Sequence, residues 1–164
     1  MTKGVHYDKV YAPVAIWTSI FLLLTMIVLH NCTTKQIDYV QAFPQAPAEK
    51  DLYFKVPASF EVEGGKKGEY ALKLHMNVYG KKQAGRVWYK YLTQKLLEEL
   101  GFEMSQVDEC VFYRGKTVYI IYTDDFILAG PDPEEIEQVL TYLKKANLEV
   151  TDKGNIEEFL GVKI

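Results

Sequence analysis

Residues 118–130 read V-Y-I-I-Y-T-D-D-F-I-L-A-G, and this stretch decides the fold. Its two apolar runs, 118–122 and 126–129, are short, uncharged and rich in β-branched and aromatic residues, which predicts two buried strands. Because so few residues join them, the strands form a hairpin with Asp124 and Asp125 at its tip. Two interpretations of this acidic pair are open: turn chemistry alone, because Asp tolerates tight turns, or two carboxylates held rigidly to bind a divalent metal ion.

The composition is typical of one globular domain with its own core. The chain has 164 residues, of which 48% are hydrophobic and 25% are charged. Its net charge of −3 means that a polyanionic partner would need a local basic patch. Cys32 and Cys110 lie far apart in the sequence and the three histidines are scattered. A zinc site, a histidine metal cluster and a disulfide framework are therefore not expected.

The order of the predicted elements defines the fold class. Helix, strands, helix, hairpins, helix and strand follow one another, which is typical of an α+β fold with helices packed on one face of a mainly antiparallel sheet. Asp132 and Pro133 are predicted to begin the last helix. The predicted helices lie at 18–29, 86–100 and 133–145, and the predicted strands at 35–43, 52–56, 70–74, 110–113, 117–122, 126–129, 148–151 and 159–164.

Residues 14–29 carry no charge and are open to two interpretations. Thr18 or Ser19 is the predicted cap of a helix that is apolar on nearly all sides, so the helix belongs to a core or spans a membrane. A span needs about 20 residues, and this run is shorter and is interrupted by Thr18, Ser19 and Thr25. A core helix is favoured, and a membrane-anchored, non-enzymatic protein is the alternative.

Asp38 is an isolated acid in the predicted strand 35–43. A buried acid is costly unless something compensates it, so an edge strand with Asp38 facing water is the simpler interpretation. A central strand beside the hairpin would instead bring Asp38 to Asp124 and Asp125. Three carboxylates at one point repel each other unless divalent cations hold them. That arrangement is the requirement of two-metal phosphoryl transfer.

Residues 77–86 form a glycine-punctuated loop that reads N-V-Y-G-K-K-Q-A-G-R and leads into a helix. The loop carries Lys81, Lys82 and Arg86. Basic groups and backbone amides at the start of a helix can receive phosphate. A solvated lysine loop is the simpler interpretation of this stretch alone.

Taken together and in order, several stretches resemble the reverse transcriptase of copia-type long-terminal-repeat retrotransposons. A Y-x-D-D tetrapeptide arises often by chance, whereas the whole set in this order is specific. The matching stretches are Y-A-P-V at 11–14, T-S-I at 18–20, Q-I-D at 36–38, A-F at 42–43, V-Y-G at 78–80, K-Q-A at 82–84, Arg86, W-Y at 88–89, Y-T-D-D at 122–125 and F-L-G-V at 159–162.

The resemblance implies a right-hand polymerase palm, with 1–164 as a single reverse-transcriptase domain fragment that includes part of the fingers but no thumb, RNase H or integrase region. The implied function is RNA-directed DNA polymerisation, in which deoxynucleotides are added to a primer by two-metal phosphoryl transfer. The implied partners are an RNA template, a DNA primer, deoxynucleoside triphosphates and the rest of the retrotransposon polyprotein; a membrane is not expected. The implied location is the cytoplasm, within a virus-like particle, or the nucleus.

The resemblance also implies the catalytic residues. Asp38, Asp124 and Asp125 would bind two Mg²⁺ ions, which Mn²⁺ can replace. The backbone carbonyl of Tyr39 would add a further metal ligand.

Other residues are implied to contact the substrates. Phe43 and Gln83 would contact the incoming nucleotide, and the Phe43 ring would crowd a ribose 2′-hydroxyl and so select deoxynucleotides. The residues implied to contact template or primer are Lys82, Arg86, Tyr122, Leu160 and Gly161.

Two departures from the family pattern keep other functions open. Copia-type enzymes usually carry basic residues where this chain has Ile16 and Phe21, so contacts to the template are in doubt. A decayed, catalytically inactive retroelement fragment is one alternative. An RNA-copying polymerase or cyclase with a similar palm is another, although Phe43 argues against it because ribonucleotide use needs room at that position.

Overall fold

The computed structural model describes residues 10–57, 59–60, 69–122, 125–159 and 162–163. Four helices and ten strands lie in these ranges. The helices are α1 (Trp17–His30), α2 (Ala42–Gln45), α3 (Ala84–Glu98) and α4 (Pro133–Lys145). The strands are β1 (Thr33–Tyr39), β2 (Pro47–Lys55), β3 (Ala71–Met76), β4 (Glu103–Met104), β5 (Val111–Arg114), β6 (Thr117–Tyr122), β7 (Asp125–Gly130), β8 (Val150–Asp152), β9 (Glu158–Phe159) and β10 (Val162–Lys163).

Six of the strands form one sheet in the spatial order β4-β5-β6-β7-β1-β8, and all of its pairs are antiparallel. Strands β2 and β3 form a separate two-stranded ribbon, and β9 pairs with β10. The predicted α+β class with a mainly antiparallel sheet is thus confirmed. Strand β1 lies inside the large sheet, between β7 and β8. The edge-strand interpretation of residues 35–43 was therefore wrong.

The hairpin predicted from residues 118–130 is confirmed as β6 and β7. Their register pairs Val118 with Ala129 and ends with Tyr122 opposite Asp125. Most residues along both strands of this hairpin are apolar and buried. Because neighbouring residues along a strand point to opposite faces, both faces of the hairpin are buried. Two buried faces require cover on both sides of the sheet.

Helices α3 and α4 cover one face of the sheet. On this face, the ring centroid of Trp88 in α3 lies 5.0 Å from that of Tyr39. Glu137 in α4 lies 3.1 Å from Nζ of Lys35, which shares the Tyr39 face of β1 by strand alternation. The residues of these two helices that are buried in the core are Ala84, Val87, Trp88, Leu92, Leu96, Ile136, Val139, Leu140 and Leu143.

Helix α1 covers the other face, so the prediction that the helices pack on one face of the sheet was wrong. The Trp17 ring lies 6.0 Å from the ring of Tyr122. Leu23 of α1 lines a cavity of about 840 Å³ together with Val118 and Ile120, which share the Tyr122 face of β6. The reason is that the β6–β7 hairpin is apolar on both sides, and helices on a single side would leave one of them in water.

The start of α1 also differs from the prediction. Thr18 and Ser19 lie inside the helix, and Ile16 occupies the cap position without a side-chain cap. The N–H of Ile16 instead donates to Oδ2 of Asp108 over 3.0 Å. A carboxylate distant in the sequence therefore fixes this helix end, which local sequence patterns cannot reveal.

The prediction that residues 14–29 form a core helix holds for one side of α1. The helix buries Ile20, Leu23 and Ile27, whereas Val28 and Leu29 are each 71% exposed. Within the described ranges, no helix combines the length and the apolar character that crossing a lipid bilayer requires.

The start of α4 agrees with the sequence. Oδ1 of Asp132 accepts a hydrogen bond of 2.9 Å from the N–H of Glu134, and Pro133 is the first helical residue. This is the N-terminal arrangement that Asp followed by Pro favours.

A buried pair of tyrosine hydroxyls joins β1 to β6 beneath the sheet. The oxygen atoms of Tyr39 and Tyr119 lie 2.8 Å apart, and either can be the donor. Both side chains are almost fully buried, and this burial raises the pKa of each hydroxyl well above its ordinary value of 10.0. The hydroxyls therefore stay neutral in the folded protein and satisfy each other.

Tyr119→Phe is expected to lower the free energy of unfolding by about 1–3 kcal/mol, because the buried Tyr39 hydroxyl loses its partner. Tyr39→Phe/Tyr119→Phe is expected to cost less than either single substitution, because it leaves no hydroxyl unsatisfied. Urea unfolding at neutral pH of the four proteins measures both effects. Additive losses in the double variant would contradict the pairing.

The same pair makes stability fall in alkali. The unfolded chain ionises these hydroxyls near their ordinary pKa of 10.0, whereas the fold raises both pKa values. Their contribution to stability is complete below pH 10 and is lost as the pH rises towards the folded pKa. Above about pH 10, the free energy of unfolding should therefore fall more steeply for the wild type than for Tyr39→Phe/Tyr119→Phe.

Candidate active site

Asp38 and Asp125 lie on neighbouring strands and share one face of the sheet. Ile37 pairs with Phe126 in the β1–β7 register, so the next position of each strand sets Asp38 opposite Asp125. Gln36 shares the Asp38 face by strand alternation, and its Nε2 donates to Oδ1 of Asp125 over 3.3 Å. The sheet thus brings together two carboxylates that are far apart in the sequence.

The third predicted metal ligand, Asp124, lies outside the described residues. In the part of the chain that the structure describes, no group of three or more His, Cys, Asp or Glu side chains could hold a metal ion. The convergence of all three aspartates therefore stays a prediction. Asp38 and Asp125 nevertheless present hard oxygen donors on one surface, which is the donor chemistry that Mg²⁺ prefers. The oxygen donors of Asp38 and Asp125 are therefore chemically suited to the predicted Mg²⁺ ions.

A lysine faces the Asp38 carboxylate. Nζ of Lys153 lies 3.5 Å from Oδ2 of Asp38, and the two side chains are 43% and 44% exposed. Lys153 directly follows β8, which pairs with β1 on the side away from β7. The candidate metal ligand is therefore already next to a positive charge.

A second lysine anchors β8 from the opposite face of the sheet. Lys35 donates a 2.7 Å hydrogen bond to Asp152 and lies 3.1 Å from Glu137 of α4. The bonds to Asp152 and then to Glu137 raise the pKa of Lys35. Burial by itself raises the pKa of Asp152, but Lys35, the N–H of Gly154 and Lys144 together outweigh it, so the net pKa is lowered. This network fixes β8 beside β1.

Tyr39, the predicted carbonyl ligand, ends β1 directly after Asp38. Its side chain points away from the carboxylate face and packs edge-on against two rings: Trp88 at 5.0 Å and Phe126 at 4.7 Å between centroids. This aromatic packing holds the carboxyl end of β1, and with it the backbone next to Asp38, in one position.

Phe43 lies in α2, the short helix that follows β1. Its half-buried ring is 4.8 Å from the ring of Tyr79, measured between centroids. Nε2 of Gln45 donates to the carbonyls of Val40 (2.6 Å) and Glu149 (3.0 Å), and its Oε1 accepts from the N–H of Glu149 at 2.9 Å. These bonds tie α2 to the end of β1 and the start of β8 and so position Phe43.

The other predicted contact residues lie at the start of α3. Gln83 directly precedes the helix and is only 4% exposed. Lys82 is exposed, whereas Arg86 is half-buried and forms an ion pair with Glu49 of β2. Lys81, which is only 8% exposed, has a pKa that burial lowers. At this helix start Lys82 is thus exposed, whereas Lys81, Gln83 and Arg86 are buried or half-buried.

Tyr122 is the last residue of β6, and its side chain is half-buried. Leu160 and Gly161, the predicted primer contacts, lie outside the described residues.

The two departures from the family pattern lie on the α1 side of the sheet. Ile16 and Phe21 are 48% and 53% exposed. The Phe21 ring stacks on Trp17 with centroids 5.6 Å apart. An exposed apolar surface therefore occupies the positions where basic residues were expected.

Three side chains that form or support the candidate site were not predicted from the sequence. Gln36 could have been found, because it lies two residues before Asp38 on the same strand and so shares its face. Lys153 and Gln45 gave no local signal. Lys153 pairs with Asp38 and Gln45 donates to the carbonyl of Glu149, and in each case the partner is more than 100 positions away in the sequence.

Comparison with known proteins identifies the family to which the chain belongs. The sequence profile described as reverse transcriptase (RNA-dependent DNA polymerase) matches residues 1–164. The chain is 29% identical over 167 residues to the retrovirus-related Pol polyprotein from transposon TNT 1-94 of Nicotiana tabacum, covering 99% of this chain and 12% of that protein. It is 32% identical over 164 residues to the corresponding polyprotein from transposon RE1 of Arabidopsis thaliana, covering 98% and 11%. Identity to the truncated transposon Ty1-A Gag-Pol polyprotein of Saccharomyces cerevisiae is 27% over 156 residues, covering 92% and 12%.

The chain therefore belongs to the reverse transcriptase (RNA-dependent DNA polymerase) family, a family of nucleotidyltransferases. Its relatives are Pol polyproteins of copia-type transposons, which confirms the resemblance inferred from the sequence. The chain spans about an eighth of the length of these relatives, 11 to 12% of each. No solved structure matches the chain at a significant level.

Proposed function

We propose that this chain is the palm, with part of the fingers, of an RNA-directed DNA polymerase encoded by a copia-type retrotransposon. The observation that carries the proposal is the placement of Asp38 beside Asp125 on one face of the sheet. Asp124, the third proposed ligand, directly precedes Asp125 in the sequence. The substrates are deoxynucleoside triphosphates and a DNA primer on an RNA template, and the chain acts within a larger polyprotein.

Asp38, Asp124 and Asp125 would hold two Mg²⁺ ions, with the Tyr39 carbonyl as a further ligand. The chemistry that these ions supply when bound is a lowered pKa of the primer 3′-hydroxyl and neutralisation of the triphosphate charge. The carboxylates would position the metal ions and take no covalent part in the reaction.

The protein contributes a rigid base for the carboxylates. Ile37 and Phe126, the neighbours of Asp38 and Asp125 on the opposite face, are each only 1% exposed. Because they are packed in the core, mutual repulsion of the acids cannot easily separate the two strands. Gln36 orients Asp125 by its hydrogen bond. Pre-organisation of this kind lowers the cost of reaching the transition-state geometry.

Phe43 selects the sugar of the incoming nucleotide. Its ring lies against Tyr79, and Gln45 fixes α2 to the end of β1 and the start of β8. A ring held in this position would crowd a ribose 2′-hydroxyl of the incoming nucleotide. The polymerase therefore uses deoxynucleotides.

The test is primer extension on an RNA template with Mg²⁺, using the wild type and Asp124→Asn at equal concentration. Template-dependent product above the Asp124→Asn baseline supports the proposal. Absence of such product would show that the chain is inactive, as expected of a decayed copy. Parallel reactions with ribonucleotides test the role of Phe43: efficient ribonucleotide incorporation would point instead to an RNA-copying polymerase.

A further inference from the structure

Both described carboxylates of the candidate site have a partner on the same face of the sheet. Asp125 accepts a hydrogen bond from the Gln36 side chain, and Asp38 lies 3.5 Å from the Lys153 ammonium. The first partner is a neutral amide, whereas the second is a full positive charge. Of these two partners, Lys153 is the one that competes directly with a cation for the oxygen atoms of Asp38.

Lys153 is held in this position by its backbone. Its N–H donates to the carbonyl of Gln36, and the N–H of Gln36 donates to the carbonyl of Gly154, each over 2.9 Å. Gly154 has a φ of +89°, a conformation that suits glycine and turns the chain directly after Lys153. Asp152 accepts a 2.8 Å hydrogen bond from the N–H of Gly154. These contacts are independent of the Lys153 side chain, so removing its charge leaves the turn in place.

We propose that Lys153 is the resident counter-cation of the metal site and that a divalent ion must displace it from Asp38. This inference rests on the proposed function. In the metal-free protein the ammonium offsets part of the repulsion among the clustered carboxylates. When a divalent ion approaches, the same ammonium repels it and competes for Asp38. Lys153 thereby sets how much metal the enzyme needs.

The exposure of the pair limits the size of this effect. Both side chains are close to half exposed, and exposed ion pairs are weak and screened by salt. Removal of the charge is therefore expected to tighten divalent-ion binding about two- to five-fold at low salt. The difference should shrink as the ionic strength rises.

The experiment measures Mn²⁺ binding to the full chain by the loss of the free-ion electron paramagnetic resonance signal. Lys153→Met and Lys153→Gln are expected to bind Mn²⁺ about two- to five-fold more tightly than the wild type, whereas Lys153→Arg should keep wild-type affinity. Lys73→Met is the matched control, because Lys73 is 42% exposed, close to the 43% of Lys153, and pairs with Asp51 at 2.8 Å on the separate β2–β3 ribbon. It removes the same net charge and should leave the affinity unchanged.

The possible failures can be told apart. In the first case, the wild type binds Mn²⁺ and Asp38→Asn does not. Unchanged or weaker Mn²⁺ binding by both neutral Lys153 variants then overturns the role of Lys153 alone. Equal tightening by Lys73→Met also overturns it, since net charge would then explain the effect. If neither the wild type nor the Lys153 variants bind Mn²⁺ better than Asp38→Asn, the metal site and the inference are both overturned.

Discussion

Asp38→Asn is expected to reduce template-directed primer extension at least about 1000-fold, because a neutral amide cannot replace a carboxylate that holds catalytic metal. The fold should survive, since the Asp38 side chain is 44% exposed and its partner Lys153 is itself 43% exposed. Asp38→Asn should therefore unfold in urea within about 0.5 kcal/mol of the wild type. The measurement is the initial rate of deoxynucleotide incorporation at saturating primer–template.

Asp51→Asn is the control for this substitution. Asp51 is also an exposed aspartate paired with a lysine, but it lies on the β2–β3 ribbon. Its activity should stay within a factor of about two of the wild type, as is usual for an exposed pair. Activity of Asp38→Asn within tenfold of the wild type would show that Asp38 is no metal ligand, whatever the Asp124→Asn result.

Phe126→Ala is expected to lower the free energy of unfolding by about 3–5 kcal/mol, the usual cost of deleting a buried ring. Phe126 is 1% exposed, and its ring centroid lies 4.7 Å from that of Tyr39 and 6.3 Å from that of Tyr119. The substitution would leave a cavity between β1 and β6 directly beneath Asp125. Urea denaturation followed by circular dichroism gives the change.

Phe54→Ala provides the comparison, because Phe54 lies on β2 and is 47% exposed. It should cost much less than Phe126→Ala, since about half of that ring already contacts water. A loss below about 1 kcal/mol for Phe126→Ala would contradict a tightly packed hairpin. Primer extension by Phe126→Ala below its unfolding midpoint would then show whether the core also positions Asp125.

Local patterns were sufficient to predict much of the fold. The β6–β7 hairpin, the start of α4 at Asp132 and the approximate positions of α3 and α4 were all predicted correctly, because each depends on residues that are near in sequence. The start of α1 was not predicted, because Asp108 is its partner. The sequence interpretation also failed to predict helices on both faces of the sheet. The strands of the hairpin are apolar on both sides, so both faces need cover.

The candidate site was likewise predictable from the sequence only in part. The sequence by itself determined the family and singled out the candidate acids, because motif order and residue type are properties of the chain alone. Only the tertiary structure decided that β1 lies inside the sheet, that Asp38 faces Asp125, and that Lys153 and Gln36 are their partners. The physical reason is that strand pairing is a choice among distant segments: it is set by how all buried faces are covered at once, and no local stretch contains that information.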